Sequence, residues 1–249
     1  MTELELIMDL HKNSERQGPG SEKDTLKALG FLNLPTNGKL KIADIGCGSG
    51  GQTITLAQNL NGQITAVDLF PEFLDELNEK AQILGLTDII LTLEKSMDEL
   101  PFDREEFDLI WAEGAIYNIG FQKGIKIWKD FLKSGGFIAI SEITWITNSR
   151  PKEIEQFWTQ EYSEIDTASN KIKILEKNNF TLEGYFNLSQ QSWIDQYYKP
   201  MEGRFETYLK RHHNSELAKK VVEDNKTEID LYRKFKDYYS YGFYIARKN

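Results

Sequence analysis

Ile42-Ala43-Asp44-Ile45-Gly46-Cys47-Gly48-Ser49-Gly50-Gly51 is the stretch that decides the fold of this chain. An apolar strand closes on an acid, breaks into a glycine-rich turn and yields to a helical pattern. Glycines at 46, 48 and 50 let the backbone turn sharply and let a ligand approach it without Cβ interference. The helix that follows offers unpaired N–H groups and the positive end of its dipole. Such a turn suits a nucleotide-like molecule held against bare backbone.

Outward from this turn, strand and helix patterns alternate. Leu40–Ile45 reads as the first strand and Thr53–Leu60 as a helix that Gly62 closes. Ile64–Val67 is a second strand ending in Asp68. Pro71 fits the first position of a helix whose apolar face is Phe73, Leu74, Leu77, Ala81 and Leu84, with Gly85 at its end. Strands at Ile89–Leu93 and Phe107–Trp111 follow, then a helix around Ile125, Trp128, Phe131 and Leu132, and a strand at Phe137–Ile143. Asp166 can cap a helix carrying Ile172, Ile174 and Leu175, before strands at Thr181–Phe186 and Tyr241–Ala246. Units of this kind predict an α/β fold: a parallel sheet with helices on both faces and right-handed crossovers. Ligands of such sheets sit outside the carboxyl ends of the strands.

Two segments stand outside the alternation. Near the amino terminus, Leu4, Leu6, Ile7 and Leu10 mark an amphipathic helix, followed by a polar break from Asn13 to Gly20. Ser21 and Asp24 then open a short helix that Gly30 can close. Residues 189–238 are polar, helical in pattern and rich in tyrosine, and too long for a loop in a compact domain. They read as two helices inserted before the last strand, covering the pocket. The expected organisation is one domain: a helical cover at 1–37, a cofactor-binding core at 38–188, the inserted cover at 189–238 and a closing strand at 239–249.

The glycines alone leave the ligand open, because Gly46, Gly48 and Gly51 also satisfy G-x-G-x-x-G, the dinucleotide fingerprint. Asp68, at the end of the second strand, is placed to accept from two ribose hydroxyls in either case. Three features separate the readings. Asp44 just before the turn suits a ligand with an ammonium and disfavours a pyrophosphate, which a like charge repels. Ser96-Met97-Asp98-Glu99-Leu100-Pro101-Phe102 follows the third strand, and Glu113 stands just past the fourth. Together these resemble the class I S-adenosylmethionine-dependent methyltransferases, in particular the small-molecule enzymes similar to those of quinone biosynthesis, over roughly residues 38–145.

That resemblance implies a Rossmann-like seven-stranded sheet, mostly parallel, whose last strand runs antiparallel at the sheet edge, with Tyr241–Ala246 its candidate. It implies S-adenosyl-L-methionine as cofactor and S-adenosyl-L-homocysteine as product. The turn from Gly46 through Cys47 and Gly48 to Gly50 would face the methionine part, and Asp44 would help hold its amino group. Asp68 would take the ribose, Leu69 would lie against the adenine, and Ser96 and Met97 would meet the adenine edge and face.

Methyl transfer from a sulfonium is an in-line displacement, so positioning and exclusion of water come first and a base matters only for a protonated acceptor. Glu113, Tyr117 and Glu142 are the candidate groups, with Glu113 and Tyr117 foremost and Glu113 equally suited to a cofactor-side role. Trp145, Trp193, Tyr197 and Tyr198 could wall an acceptor site or merely pack the cover onto the sheet. Cys47, the only cysteine, fits as a small apolar filler. His212-His213 point to different faces of a helix and read as solvated surface rather than a metal site. Tyr232 and Lys236 imitate a dehydrogenase motif by coincidence.

Thirty basic against 39 acidic residues leave a net charge of −9, which disfavours a nucleic-acid partner. Neither a basic leader nor an apolar run of membrane-spanning length is evident, so a cytoplasmic protein acting on a small molecule is expected. A nicotinamide-dependent oxidoreductase and a non-catalytic cofactor-binding module are the competing readings.

Overall fold

Five of the six residues of β1 (Leu40–Ile45) are buried, as a strand covered on both faces requires. The structure is a computed structural model and describes residues 1–35 and 37–249. Before β1 come α1 (Glu3–His11), with a capping box at Thr2 and Glu5, and α2 (Glu22–Leu29), whose Ser21 cap accepts from Asp24 N. After it come α3 (Gly51–Asn59), β2 (Gly62–Asp68), α4 (Pro71–Leu84), β3 (Ile90–Glu94) and β4 (Phe107–Glu113). The second half holds α5 (Phe121–Trp128), β5 (Leu132–Trp145), α6 (Lys152–Glu161), a two-residue β6 (Asp166–Thr167), α7 (Ala168–Lys177) and β7 (Phe180–Asn187). A broken helix follows: α8 (Gln190–Trp193), a π-turn at Ile194–Tyr198 and α9 (Lys199–Arg211). Then α10 (Glu216–Phe235) leads into β8 (Tyr239–Lys248).

The sheet order is β3-β2-β1-β4-β5-β8-β7, with β6 beside the end of β5. Strands β1 to β5 pair in parallel. Alternate residues feed two cores. Ile42, Leu109, Trp111, Phe137 and Ala139 enter one, and Ala43, Ile45, Ile110, Ala112, Ile138 and Ile140 the other. This is the expected Rossmann-like mixed α/β sheet with an antiparallel last strand.

One expectation is corrected. The last strand does not lie at the edge, because β8 runs antiparallel between β5 and β7, and β7 forms the border. Eight consecutive buried residues at the start of β8 are the mark of an interior strand, since edges carry exposed or charged side chains. A second departure is α6, which the sequence did not announce. Only Ile154 of its ten residues is buried, too little apolar face for a periodic signal.

The covers meet each other. Tyr208 Oη of α9 donates to Leu6 O of α1 at 3.2 Å, and Asp9 accepts from Arg211 Nε at 2.9 Å. His212 Nε2 lies 2.7 Å from the same Asp9 carboxylate, so the histidine expected on a solvated face instead ties α9 to α1.

Candidate functional site

Strand ends β1, β2 and β4 open onto a cavity of about 560 Å³, the place a doubly wound sheet reserves for ligands. Gly46, Cys47 and Gly48 form its floor, Asp68, Leu69 and Phe70 one wall, and Ser96, Met97 and Asp98 the next. Gly114, Ala115 and Tyr117 stand opposite, and α1, Arg16, Gln17 and Tyr197 supply the roof.

The turn works because Gly48 takes a φ of +53° and Gly50 one of +86°, values that side chains resist. The Gly48 N–H donates to Asp68 Oδ2 at 2.8 Å, and the Phe70 N–H to Oδ1 at 3.1 Å. Two backbone donors thus fix the carboxylate, and each oxygen keeps a lone pair for a ligand hydroxyl. Burial raises the Asp68 pKa against the pull of those bonds. Gly50 does something else: a Cβ there would strike Leu77 of α4, so this glycine serves helix packing and is not on the cavity wall.

Asp44 is likewise off the wall, with no exposed surface. It accepts from Thr53 Oγ1 at 2.6 Å and Gln52 Nε2 at 3.4 Å. Burial, with Glu113 nearby, pushes its pKa up to about 7 despite both bonds. Gln52, which does line the cavity, also donates to Cys47 O at 3.2 Å. The acid therefore touches Gln52 rather than the cavity itself. Cys47 is 2 % exposed and burial raises its thiol pKa, as an apolar filler requires.

Glu113 is fully engaged. Its Oε1 accepts from Thr25 Oγ1 at 2.7 Å and Trp111 Nε1 at 2.9 Å, and its Oε2 pairs with Arg16. Arg16 NH2 in turn donates to Thr25 Oγ1 at 2.9 Å. Gln17 Oε1 accepts from Ser49 N at 2.8 Å, and Ser49 Oγ donates to Ser14 O at 2.8 Å. The strap 14–17 consequently lies across the start of α3.

On the wall beyond Asp68, Leu69 is 54 % exposed, offering an open apolar face. Ser96 Oγ donates to Asp98 Oδ1 at 2.6 Å, and Asp98 pairs with Lys123 at 2.9 Å. Asp98 was not singled out in the sequence, nor were Arg16, Gln17, Gln52, His11 and the Asn118–Ile119 turn. Tyr117 lines the cavity, its hydroxyl pKa raised by burial. Glu142 does not line it; buried, it pairs with Lys171 at 3.1 Å. Of the candidate aromatic wall only Tyr197 reaches the cavity. Trp145, Trp193 and Tyr198 are packing, with Trp193 stacked on Tyr232 at 4.6 Å.

Residues 42–136 match the family model of a methyltransferase domain. A sarcosine/dimethylglycine N-methyltransferase of Aphanothece halophytica is 28% identical over 97 residues, covering 39% of this chain and 35% of that protein. A probable cobalt-precorrin-6B C(15)-methyltransferase of Methanothermobacter thermautotrophicus is 32% identical over 126 residues, 50% of this chain and 64% of that one. The chain thus spans from about a third to under two thirds of these curated relatives. A SAM-dependent methyltransferase of Geobacter sulfurreducens, solved with S-adenosyl-L-homocysteine, shares the fold with a TM-score of 0.85 at 17% identity, over 98% of both chains. Sheet order, cavity and matched segment agree: residues 42–136 are similar to the methyltransferase domain, and the chain has the Rossmann-like fold of S-adenosylmethionine-dependent methyltransferases.

Proposed function

We propose that the protein transfers a methyl group from S-adenosylmethionine to a small-molecule acceptor. The supporting observation is the strap over α3. A dinucleotide sets its pyrophosphate on the N-terminus of this helix, but here Gln17 occupies the Ser49 N–H and the strap backbone lies over Gly51. What stays open is the floor at Gly46–Gly48 and the Asp68 carboxylate, the parts an adenosyl group with an amino-acid tail needs.

The cavity residues fit that molecule. Asp68 holds two free lone pairs for the ribose hydroxyls, and Leu69, Ser96 and Met97 flank the place for adenine. Arg16 and Gln52 present polar groups beside the turn for the amino-acid end. When bound, the sulfonium supplies an activated methyl carbon that needs only an aligned lone pair and a dry site. The chain's own part is positioning, which is worth ~7–11 kcal/mol in such reactions. The roof of α1 and Tyr197 excludes water, and Glu113 latches the strap that completes the roof. With every oxygen committed, Glu113 is a positioning residue rather than a base. Tyr117, kept protonated by burial, can orient an acceptor by hydrogen bonding but does not deprotonate it.

The relatives named above act on small molecules, and the net charge of −9 speaks against a phosphate backbone. Among the described residues no helix is long and apolar enough to cross a membrane. Titration calorimetry with S-adenosylmethionine, S-adenosylhomocysteine and NADH tests the reading. Saturable binding of the first two is expected; binding of NADH alone would overturn it.

A further inference from the structure

Behind the cavity wall the covers enclose a carboxylate that no cation answers. Glu228 of α10 is half-buried, and its Oε1 accepts from Tyr198 Oη at 2.8 Å, which leaves Oε2 without a partner among the described residues. The Tyr198 ring stands 5.2 Å from that of Tyr197, which lines the cavity. Burial raises the Glu228 pKa, and the other groups acting on it are the Tyr198 hydroxyl and the Glu161 charge; neither is a cation. An enclosed charge without a partner is costly, and a cation arriving beside it removes that cost.

The rings around this carboxylate point the same way. Gly114, on the cavity wall, has a φ of +59°, and a Cβ there would meet the Tyr241 ring at 2.7 Å. The missing side chain is what lets Tyr241 of β8 come up to the wall. Tyr241 is 9 % exposed and packs edge-on against Trp193 at 4.9 Å. Its hydroxyl and that of Tyr197 nonetheless have no hydrogen-bond partner among the described residues, and neither is sealed off as Tyr239 Oη is.

Two charges compete for this space, and one dominates. Arg204 of α9 reaches His11 and Tyr197, but on Tyr197 the Glu228 charge outweighs it. Glu228 also raises the hydroxyl pKa values of Tyr117, Tyr198, Tyr239 and Tyr241, on which Arg204 does not act. The space behind Tyr117, Tyr197 and Gly114 is therefore negative and walled by aromatic faces. A carboxylate entering it is repelled, and an uncharged molecule leaves Glu228 unanswered. An ammonium gains a counter-charge, the faces of the rings and phenol oxygens that accept its N–H groups.

Resting on the methyl-transfer reading, we propose that the acceptor is a small organic amine that enters as its ammonium ion, and that Glu228 is the residue that selects it, with Tyr197 and Tyr241 as the walls of its site. One ammonium proton passes by way of the Glu228 carboxylate to solvent and frees the nitrogen lone pair. That pair forms the new N–CH₃ bond while the C–S bond breaks, and the electron pair of the broken bond stays on sulfur and discharges the sulfonium. The products are a methylated ammonium, a thioether and one proton.

The test uses the wild-type protein, Glu228→Gln and Arg204→Gln. Calorimetry on the wild-type S-adenosylhomocysteine complex compares tetramethylammonium chloride with uncharged 2,2-dimethylpropan-1-ol of similar shape, and needs no variant. The cation should bind at least about tenfold more tightly. With S-adenosylmethionine, formation of S-adenosylhomocysteine is followed for butylamine and phenethylamine, for butyrate and phenylacetate, and for catechol. Turnover confined to the amines is expected. Glu228→Gln keeps an acceptor for Tyr198 and should raise the amine KM by about 10- to 100-fold, while affinity for S-adenosylhomocysteine stays within threefold. Arg204→Gln should leave the amine KM within threefold. Turnover of carboxylates or catechol in place of amines, no turnover of any amine, equal binding of cation and alcohol, an unchanged KM in Glu228→Gln, or an equal effect of Arg204→Gln would each overturn the proposal. Absence of S-adenosylhomocysteine binding by the wild type would sink the methyl-transfer reading beneath it, whereas binding without amine turnover sinks the proposal alone.

Discussion

Asp68 ties the turn after β1 to the end of β2 through the N–H groups of Gly48 and Phe70, so one side chain both shapes the floor and faces the cavity. Hydrogen bonds to a charged acceptor are worth about 1.5–3 kcal/mol, so Asp68→Ala should weaken S-adenosylhomocysteine binding by roughly 10- to 100-fold in calorimetry. A change within twofold would remove Asp68 from the site. Asp44 makes a different prediction, about pH. Its carboxyl goes from 3.8 to about 7 on folding, so the folded chain binds more protons than the unfolded one, and stability falls as pH rises from about 4 through 7. Asp44→Asn should flatten this slope and gain on wild type above pH 7 by on the order of 3 kcal/mol for the ligand-free protein. Urea midpoints at pH 5 and pH 8 decide it; an unchanged slope refutes the shift. Asp68 and the glycines were legible because their spacing along the chain is local. Arg16 was not, since it meets Gln52 and Glu113 across 36 and 97 residues, and nothing in a single sequence records such a meeting. His11 hid for the same reason: on an amphipathic helix it reads as a polar residue near the end.

The strap between α1 and α2 is held at its two ends by chemistry of different kinds. Gln17 and Ser49 join it to the turn by neutral hydrogen bonds, whereas Arg16 and Glu113 form an ion pair with side chains only 7% and 5% exposed. Removing one partner of such a pair leaves a buried charge uncompensated and costs about 3–5 kcal/mol. Glu113→Gln should therefore lower the melting temperature and speed hydrogen exchange in residues 14–25, while Arg16→Met combined with Glu113→Gln recovers part of the loss. Unaltered exchange in the strap would mean that Glu113 latches nothing. Element by element, the strand–helix alternation was readable from apolar periodicity, and β1 and the Gly85 end of α4 fall where the pattern put them. The place of β8 was not, because pairing with β5 and β7 is set by contacts about a hundred and about sixty residues away in sequence. Its unbroken apolar run nonetheless carried the clue of burial on both faces.

Across the whole molecule, the covers come from opposite ends of the chain and are fastened to each other as well as to the sheet. Leu6 and Leu10 of α1 share one core with Tyr208 of α9 and with Val221 and Val222 of α10. Asp9 receives both Arg211 and His212, and Lys220 reaches Glu3 at 2.6 Å. The two stacked rings in the roof of the cavity, His11 and Tyr197, come one from each cover. If they part to admit an acceptor, the junction between the covers makes them move as one lid, the kind of step that often limits turnover. Asp9→Asn keeps the shape of the junction but removes the charge that two donors share. Hydrogen exchange should then accelerate in α1 and in the α9 end together, and the acceptor KM should rise several-fold while S-adenosylhomocysteine affinity changes less than threefold, since floor and Asp68 are untouched. Faster exchange in α1 alone, with α9 unmoved, would show two independent covers and dissolve the single lid.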